Sequence, residues 1–90
     1  MIDPYKKVEG KEFHLKNGAI VHSLIDLYQS LADDEIPKDV FHYHIQRNDF
    51  IRWIRDVYQD ENLVSSLDGV KSRSRYVAQL KKILRHGNLT

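Results

Sequence analysis

From residue 23 to residue 86, apolar side chains recur every three or four positions in short stretches that polar residues interrupt. This spacing places apolar side chains on one face of an α-helix. The clearest stretch runs from Asp49 to Tyr58, where six apolar residues cover an arc of about 160° on a helical wheel. Arg52, Arg55 and Asp56 lie on the opposite side of that wheel. A succession of such helices predicts a mainly α domain.

Capping and turn residues divide this region into about five helices. Ser23 and Asn48 are residue types that cap helix N-termini, and Asp60 begins a short helical stretch. Pro37 suits a first helical turn, and Gly87 suits a helix end. The predicted helices run from Leu24 to Asp33, from Pro37 to about His44, from Asp49 to Tyr58, from Asp60 to Leu67 and from Val70 or Lys71 to Arg85 or His86.

A short β-hairpin is predicted before the helices, over residues 12–22. Asn17 and Gly18 both tolerate positive φ angles, and they stand between two short apolar runs. An isolated hairpin is marginally stable in water, so we expect its apolar residues to rest against the helices; these residues are Phe13, Leu15, Ile20 and Val21. The predicted fold is therefore one domain over residues 1–90. It has a flexible segment at 1–11, the hairpin, and a compact set of short helices at 23–86.

Length and composition limit the class of protein. The chain has 90 residues, 41% of them hydrophobic, which allows one hydrophobic core. It has no Cys, which excludes disulfides, Cys-ligated zinc and thiol nucleophiles. No window approaches the roughly 18 apolar residues of a membrane span, and the N-terminus lacks the apolar run of a secretory signal. We therefore expect a cytoplasmic protein without a membrane span.

The formal net charge of +1 hides a strong segregation of charge. Residues 24–68 hold four basic and ten acidic side chains, a net charge of −6, whereas residues 69–90 hold six basic and no acidic side chains, a net charge of +6. Most of the basic residues fall within about 120° of the last helix's wheel; they are Lys71, Arg75, Lys81, Lys82 and Arg85. Two interpretations stay open: a surface that contacts the phosphates of nucleic acid or an anionic membrane, or a solvated face partly balanced by the acidic segment.

Five His residues raise the possibility of a metal site, and His42 and His44 are the closest pair. Side chains that are two positions apart on a helix, however, point about 200° away from each other. The sequence also contains no common metal-ligand motif. We therefore predict no metal and no cofactor, and we expect His44 to pack behind Phe41 and to fix the following turn. A metal-dependent hydrolase around His42, His44 and Asp49 is the weakest alternative.

Other catalytic and DNA-binding patterns are poorly supported. The serines lack the strand-turn-helix context of a nucleophile elbow, and the chain has no Gly-rich phosphate loop. Residues 37–58 have the outline of a helix-turn-helix. In the second helix, however, Asp49 and Asp56 cancel Arg52 and Arg55, where a DNA-facing helix needs an excess of positive charge. We predict a protein that is not an enzyme.

Several spaced residues resemble a small, mainly archaeal domain family that has no assigned activity. The resemblance spans residues 13–67. It consists of Phe13-x-Leu15-x-Asn17-Gly18, Ser23-Leu24-x-x-Leu27, Phe41-x-x-His44, Asn48-Asp49-Phe50-x-x-Trp53-Ile54, Val57, Asp60 and Leu63, and its most distinctive part is His44-x-x-x-Asn48-Asp49-Phe50-x-x-Trp53-Ile54. It implies an accessory or interaction module in which His44, Asn48, Asp49 and Trp53 form either a recognition site or a structural cluster. The basic helix lies outside the matching region.

These observations favour a non-enzymatic interaction or regulatory domain whose partner is another protein. Nucleic-acid binding through the basic helix is the alternative. Whether the chain forms a homodimer stays open. Trp53 and its aromatic neighbours are expected in the core, because an aromatic stripe at helical spacing is usually buried.

Overall fold

The structure is a computed structural model that describes residues 9–87, with side chains described to residue 85. It confirms the predicted fold class: an N-terminal β-hairpin followed by five helices. Of the segment predicted to be flexible, residues 1–8 lie outside the described residues. The elements are β1 (Phe13–His14), β2 (Ile20–Val21), α1 (Leu24–Ala32), α2 (Lys38–Gln46), α3 (Asp49–Tyr58), α4 (Glu61–Leu67) and α5 (Arg73–Gly87).

The predicted hairpin is present, and Asn17 and Gly18 lie in its loop. Phe13 pairs with Val21 in antiparallel register, and the loop spans three residues because the Gly18 N–H donates to the Leu15 carbonyl and the Leu15 N–H donates to the Ala19 carbonyl. Gly18 has φ +92°, as expected for the left-handed residue that ends such a loop. Phe13, Leu15 and Val21 are buried as predicted. The expectation for Ile20 is wrong: it is 44% exposed, because alternate strand residues face opposite sides.

Helices α1 and α4 begin with side-chain caps: Ser23 caps α1 as predicted, and Asp60, predicted to begin the fourth helix, caps it instead. The Ser23 hydroxyl accepts a hydrogen bond from the Asp26 N–H at 3.1 Å. Asp60 accepts from the N–H groups of Asn62 and Leu63 at 3.0 and 3.1 Å. These bonds satisfy N–H groups that have no partner inside the helix. The caps fix where both helices begin.

Aromatic rings connect the hairpin with the helices in the core. The ring centroids of Phe13 and Phe50 are 5.0 Å apart, and Phe50 lies 6.1 Å from Phe41 and 5.9 Å from Tyr76. All four rings are buried. Because they belong to β1, α3, α2 and α5, the hairpin shares one core with the helices instead of standing alone.

Helix α5 packs against α1 and α4 through its predicted apolar side. Tyr76, Leu80 and Leu84 are buried there. The Tyr76 hydroxyl has no hydrogen-bond partner within residues 9–87, and burial raises the pKa of Tyr76 above the usual range. The helix starts later than predicted, because the Val70 N–H closes a turn onto the Leu67 carbonyl before the first helical bonds form.

Candidate functional site

The first candidate region is the α2–α3 junction, by which we mean His44, Arg47, Asn48, Asp49 and Arg52. His44 is only 5% exposed, and both of its ring nitrogens are engaged. The Lys16 N–H donates to Nε2 at 2.9 Å, so Nε2 carries no proton. The proton of the neutral ring therefore lies on Nδ1, which donates to the Asp49 carboxylate at 2.9 Å.

Asp49 collects hydrogen bonds from three side chains. Besides His44, Arg47 Nε donates to it at 3.0 Å, and the Arg52 guanidinium donates to its other carboxylate oxygen. Burial raises the pKa of Asp49, but the hydrogen bonds from His44, Arg52 and Arg47 outweigh burial and hold that pKa below its usual value of 3.8. Asp49 is therefore ionised at neutral pH, and its charge is neutralised inside the junction.

Asn48 occupies the predicted position before α3, but the predicted capping role is wrong. Its side chain makes no cap hydrogen bond, and its backbone is left-handed, with φ 59° and ψ 29°. Asn adopts this conformation more readily than most residues because its short polar side chain can interact locally. Asn48 thus serves the change of direction between α2 and α3, and its amide oxygen lies 3.4 Å from the Lys71 ammonium.

Trp53 is buried as predicted, with 9% of its surface exposed. Its indole N–H donates to the Lys11 carbonyl at 2.7 Å, and its ring contacts Phe13 edge to face. His44 and Trp53 therefore hold the hairpin from two sides: one binds the backbone at Lys16, the other the backbone at Lys11. Of the four residues that the sequence singled out, His44 and Trp53 are buried, Asp49 is partly buried and Asn48 is exposed.

The junction offers little to a metal ion. Among the side chains of residues 9–85, no three His, Asp or Glu residues are placed to share a metal ion. Both His44 nitrogens already take part in hydrogen bonds, and His42 is exposed on α2. His42, His44 and Asp49 therefore do not form a shared set of metal ligands.

The second candidate region is the outer face of α5. We call Arg75, Lys81, Lys82 and Arg85 the α5 basic face. All four are exposed, and none is within ion-pair distance of a carboxylate on residues 9–87. The described part of the acidic segment therefore does not balance this face through direct contacts.

Two other basic residues near the start of α5 point elsewhere. Lys71, predicted to belong to the basic stripe, precedes the helix, and its ammonium group lies 3.5 Å from the Ile45 carbonyl at the end of α2. Arg73 turns inward: its guanidinium donates to the carbonyls of Leu31 and Ile36. Lys71 thereby places a positive charge between the α5 basic face and the α2–α3 junction.

The sequence analysis missed an exposed aromatic residue beside the junction. Tyr43 is 37% exposed; the Lys16 ammonium lies 4.6 Å from its ring centroid, and the Arg47 guanidinium lies 5.0 Å from it. The spacing of Tyr43 and Arg47, four residues apart on α2, was an available signal, because such pairs are neighbours on a helix surface. The contact between Tyr43 and Lys16 had no such signal, because it depends on how the hairpin packs against α2.

Comparison with models of protein families, with curated proteins and with solved structures finds no match. The resemblance to the archaeal domain family stays a prediction. No helix within residues 9–87 combines the length and apolar character needed to cross a bilayer.

Proposed function

We propose that the protein is a non-enzymatic binding module whose α5 basic face contacts nucleic acid. The observation that carries this proposal is the set of four exposed cations on one helix face without carboxylate partners on residues 9–87. Phosphate backbones are bound chiefly by such Lys and Arg side chains.

The dimensions of the face suit a polyanion. Arg75 and Arg85 are ten residues apart, which corresponds to about 15 Å along a helix. Phosphates in one strand of a duplex follow one another at about 3.4 Å along the axis. The four cations can therefore meet several successive phosphates without a change in the fold.

A protein partner was the first expectation, and the exposed surface favours it less. Ile20 and Tyr43 are the large hydrophobic residues exposed within residues 9–87. The buried centres of protein interfaces are rich in aromatic and apolar side chains and poor in charged ones. The α5 basic face is instead charged throughout, so a protein partner on this face would have to be acidic.

A non-catalytic role agrees with the state of the His44–Asp49 pair. A general base needs a nitrogen within reach of the proton that it removes. His44 Nε2 already accepts the Lys16 N–H, and the ring is buried. The pair is thus arranged for support of the hairpin.

The test is a fluorescence anisotropy titration of the full chain with labelled RNA and DNA oligonucleotides at several salt concentrations. We expect the affinity for the oligonucleotide to fall as the salt concentration rises. The comparison is between wild type and the double variant Arg75→Gln/Lys82→Gln. The matched control is Lys11→Gln/Arg55→Gln, which removes the same charge from residues that pair with Asp56 and Glu61. Loss of two phosphate contacts lowers the slope of log affinity against log salt by about 1.4 for a single strand; the control leaves that slope unchanged.

Two results overturn the proposal. One is equal weakening by the control and the α5 variant, which indicates a response to net charge alone. The other is the absence of micromolar binding to any oligonucleotide at low salt. Polyglutamate serves as a second probe: binding to polyglutamate but not to oligonucleotides assigns the α5 basic face to an acidic protein partner instead.

A further inference from the structure

We propose that Tyr43 is a base-stacking platform, so that the nucleic acid bound by this protein is single-stranded. This inference rests on the proposed function and specifies its ligand. It starts from the exposed Tyr43 ring, over which the Lys16 ammonium and the Arg47 guanidinium lie 4.6 and 5.0 Å from the ring centroid. In the proposed complex, a base takes the place of one of these long side chains on the ring, and the displaced cation turns to a phosphate. Proteins that bind single strands combine cationic surfaces with aromatic rings on which bases stack.

The position of Tyr43 explains why its ring stays outside the core. On α2, Val40, Phe41, His44 and Ile45 are buried, whereas Tyr43 falls on the opposite side of the helix. Its ring still has a fixed orientation, because it contacts the His44 ring edge to face with centroids 4.9 Å apart. Since His44 is held by Lys16 and Asp49, Tyr43 is a preorganised ring on a rigid support.

The charge around Tyr43 favours an anionic ligand. Lys16, Arg47 and Arg52 lie in this region together with the Asp49 carboxylate. Asp49 already accepts hydrogen bonds from His44 and both arginines, so its charge is neutralised locally. Asp39, four residues before Tyr43 on α2, adds a second carboxylate to this surface. Lys16, Arg47 and Arg52 still exceed Asp39 and Asp49 by one positive charge, and these cations can contact phosphates while a base covers the ring.

Lys71 stands four residues before Arg75, and its ammonium group reaches the Asn48 amide oxygen and the Ile45 carbonyl at the end of α2. In this proposal, a flexible strand bound along α5 passes Lys71 and continues to Tyr43. A duplex can follow the cations, but its paired bases are stacked on one another and cannot cover the Tyr43 ring.

The experiment compares Tyr43→Leu and Tyr43→Phe in titrations with an oligothymidylate of about 12 nucleotides and with a duplex of the same length. Tyr43→Leu should weaken single-strand binding roughly 5- to 100-fold, the range measured when one stacked base loses its aromatic partner. Tyr43→Phe keeps the ring and should restore single-strand binding to within about twofold of wild type. Duplex binding should be unchanged by both substitutions, because paired bases offer no free face for stacking.

Thermal unfolding of both variants provides the folding control, since an exposed side chain can be replaced with little loss of stability. A folded Tyr43→Leu protein that binds oligothymidylate as tightly as wild type overturns the stacking inference. It leaves the proposed function intact if Arg75→Gln/Lys82→Gln still weakens binding. A wild-type protein that binds neither the single strand nor the duplex overturns both proposals. Equal weakening of single-strand and duplex binding by Tyr43→Leu also contradicts stacking, because it points to an effect on charge placement.

Discussion

At the α2–α3 junction, the Asp49 carboxylate accepts hydrogen bonds from His44, Arg47 and Arg52. On the α5 basic face, four cations stand in solvent without a carboxylate partner on residues 9–87. The junction therefore uses its charges to hold the fold, whereas the charges of the α5 basic face are proposed to contact a ligand. The most distinctive residues of the sequence lie in the first region, and a plainer run of Lys and Arg lies in the second. Substitutions that separate stability from binding test this contrast.

Trp53→Ala should produce the largest loss of stability. The substitution removes a ring that is 9% exposed, together with its hydrogen bond to the Lys11 carbonyl. We expect the free energy of unfolding to fall by about 3–5 kcal/mol, measured by chemical denaturation. An unchanged free energy of unfolding would show that Trp53 is not part of the core.

His44→Leu should cost about 2 kcal/mol, because it leaves the Lys16 N–H without its acceptor and removes one of the three side-chain donors to the Asp49 carboxylate. His42→Leu is the matched control: it replaces the same residue type on the same helix, but at an exposed position. Its effect should stay within about 0.5 kcal/mol. Equal losses in the two variants would contradict the supporting role of His44.

The pH dependence of stability should report on Asp49. Its pKa is lowered in the folded state, so the unfolded chain binds a proton more readily at acidic pH. The stabilisation is thus complete above the usual value of 3.8 and is lost as pH falls through the lower folded pKa. Denaturation curves recorded from neutral to acidic pH should show this loss in wild type and a smaller loss in Asp49→Asn. Identical profiles would contradict the role assigned to the junction.

Asn48 allows a test of backbone conformation against capping. Serine is a good N-cap residue but disfavours left-handed backbone, so Asn48→Ser should cost about 1 kcal/mol. Asn48→Gly should cost at most a few tenths of a kcal/mol, since glycine adopts positive φ readily. Thermal denaturation distinguishes the two accounts: a stable Asn48→Ser protein would restore the capping interpretation.

Local sequence signals were sufficient to predict much of the fold. The Ser23 and Asp60 caps act through neighbouring N–H groups, so the sequence alone located the starts of α1 and α4. The role of Asn48 was not resolved in the same way, because Asn suits both a cap and a left-handed residue. The Asn17-Gly18 pair indicated the hairpin, but it does not determine which residues pair on either side.

The candidate site was harder to predict because its contacts are distant in sequence. His44 meets Lys16 across 28 positions, and Trp53 meets Lys11 across 42 positions. Periodicity identified the buried faces of these helices but carried no information on how the hairpin docks. The patch around Tyr43 was missed for that reason, whereas the cations of α5 were recognised because one helix carries them.

The central claim is that the α5 basic face binds a ligand without supporting the fold. The most direct test measures the free energy of unfolding and the oligonucleotide affinity of one variant, Arg75→Gln/Lys82→Gln. We expect stability to stay within about 0.5 kcal/mol of wild type, as for exposed residues in general. We expect affinity at low salt to fall by about tenfold or more. A variant that loses stability while binding the oligonucleotide as tightly as wild type would contradict the account.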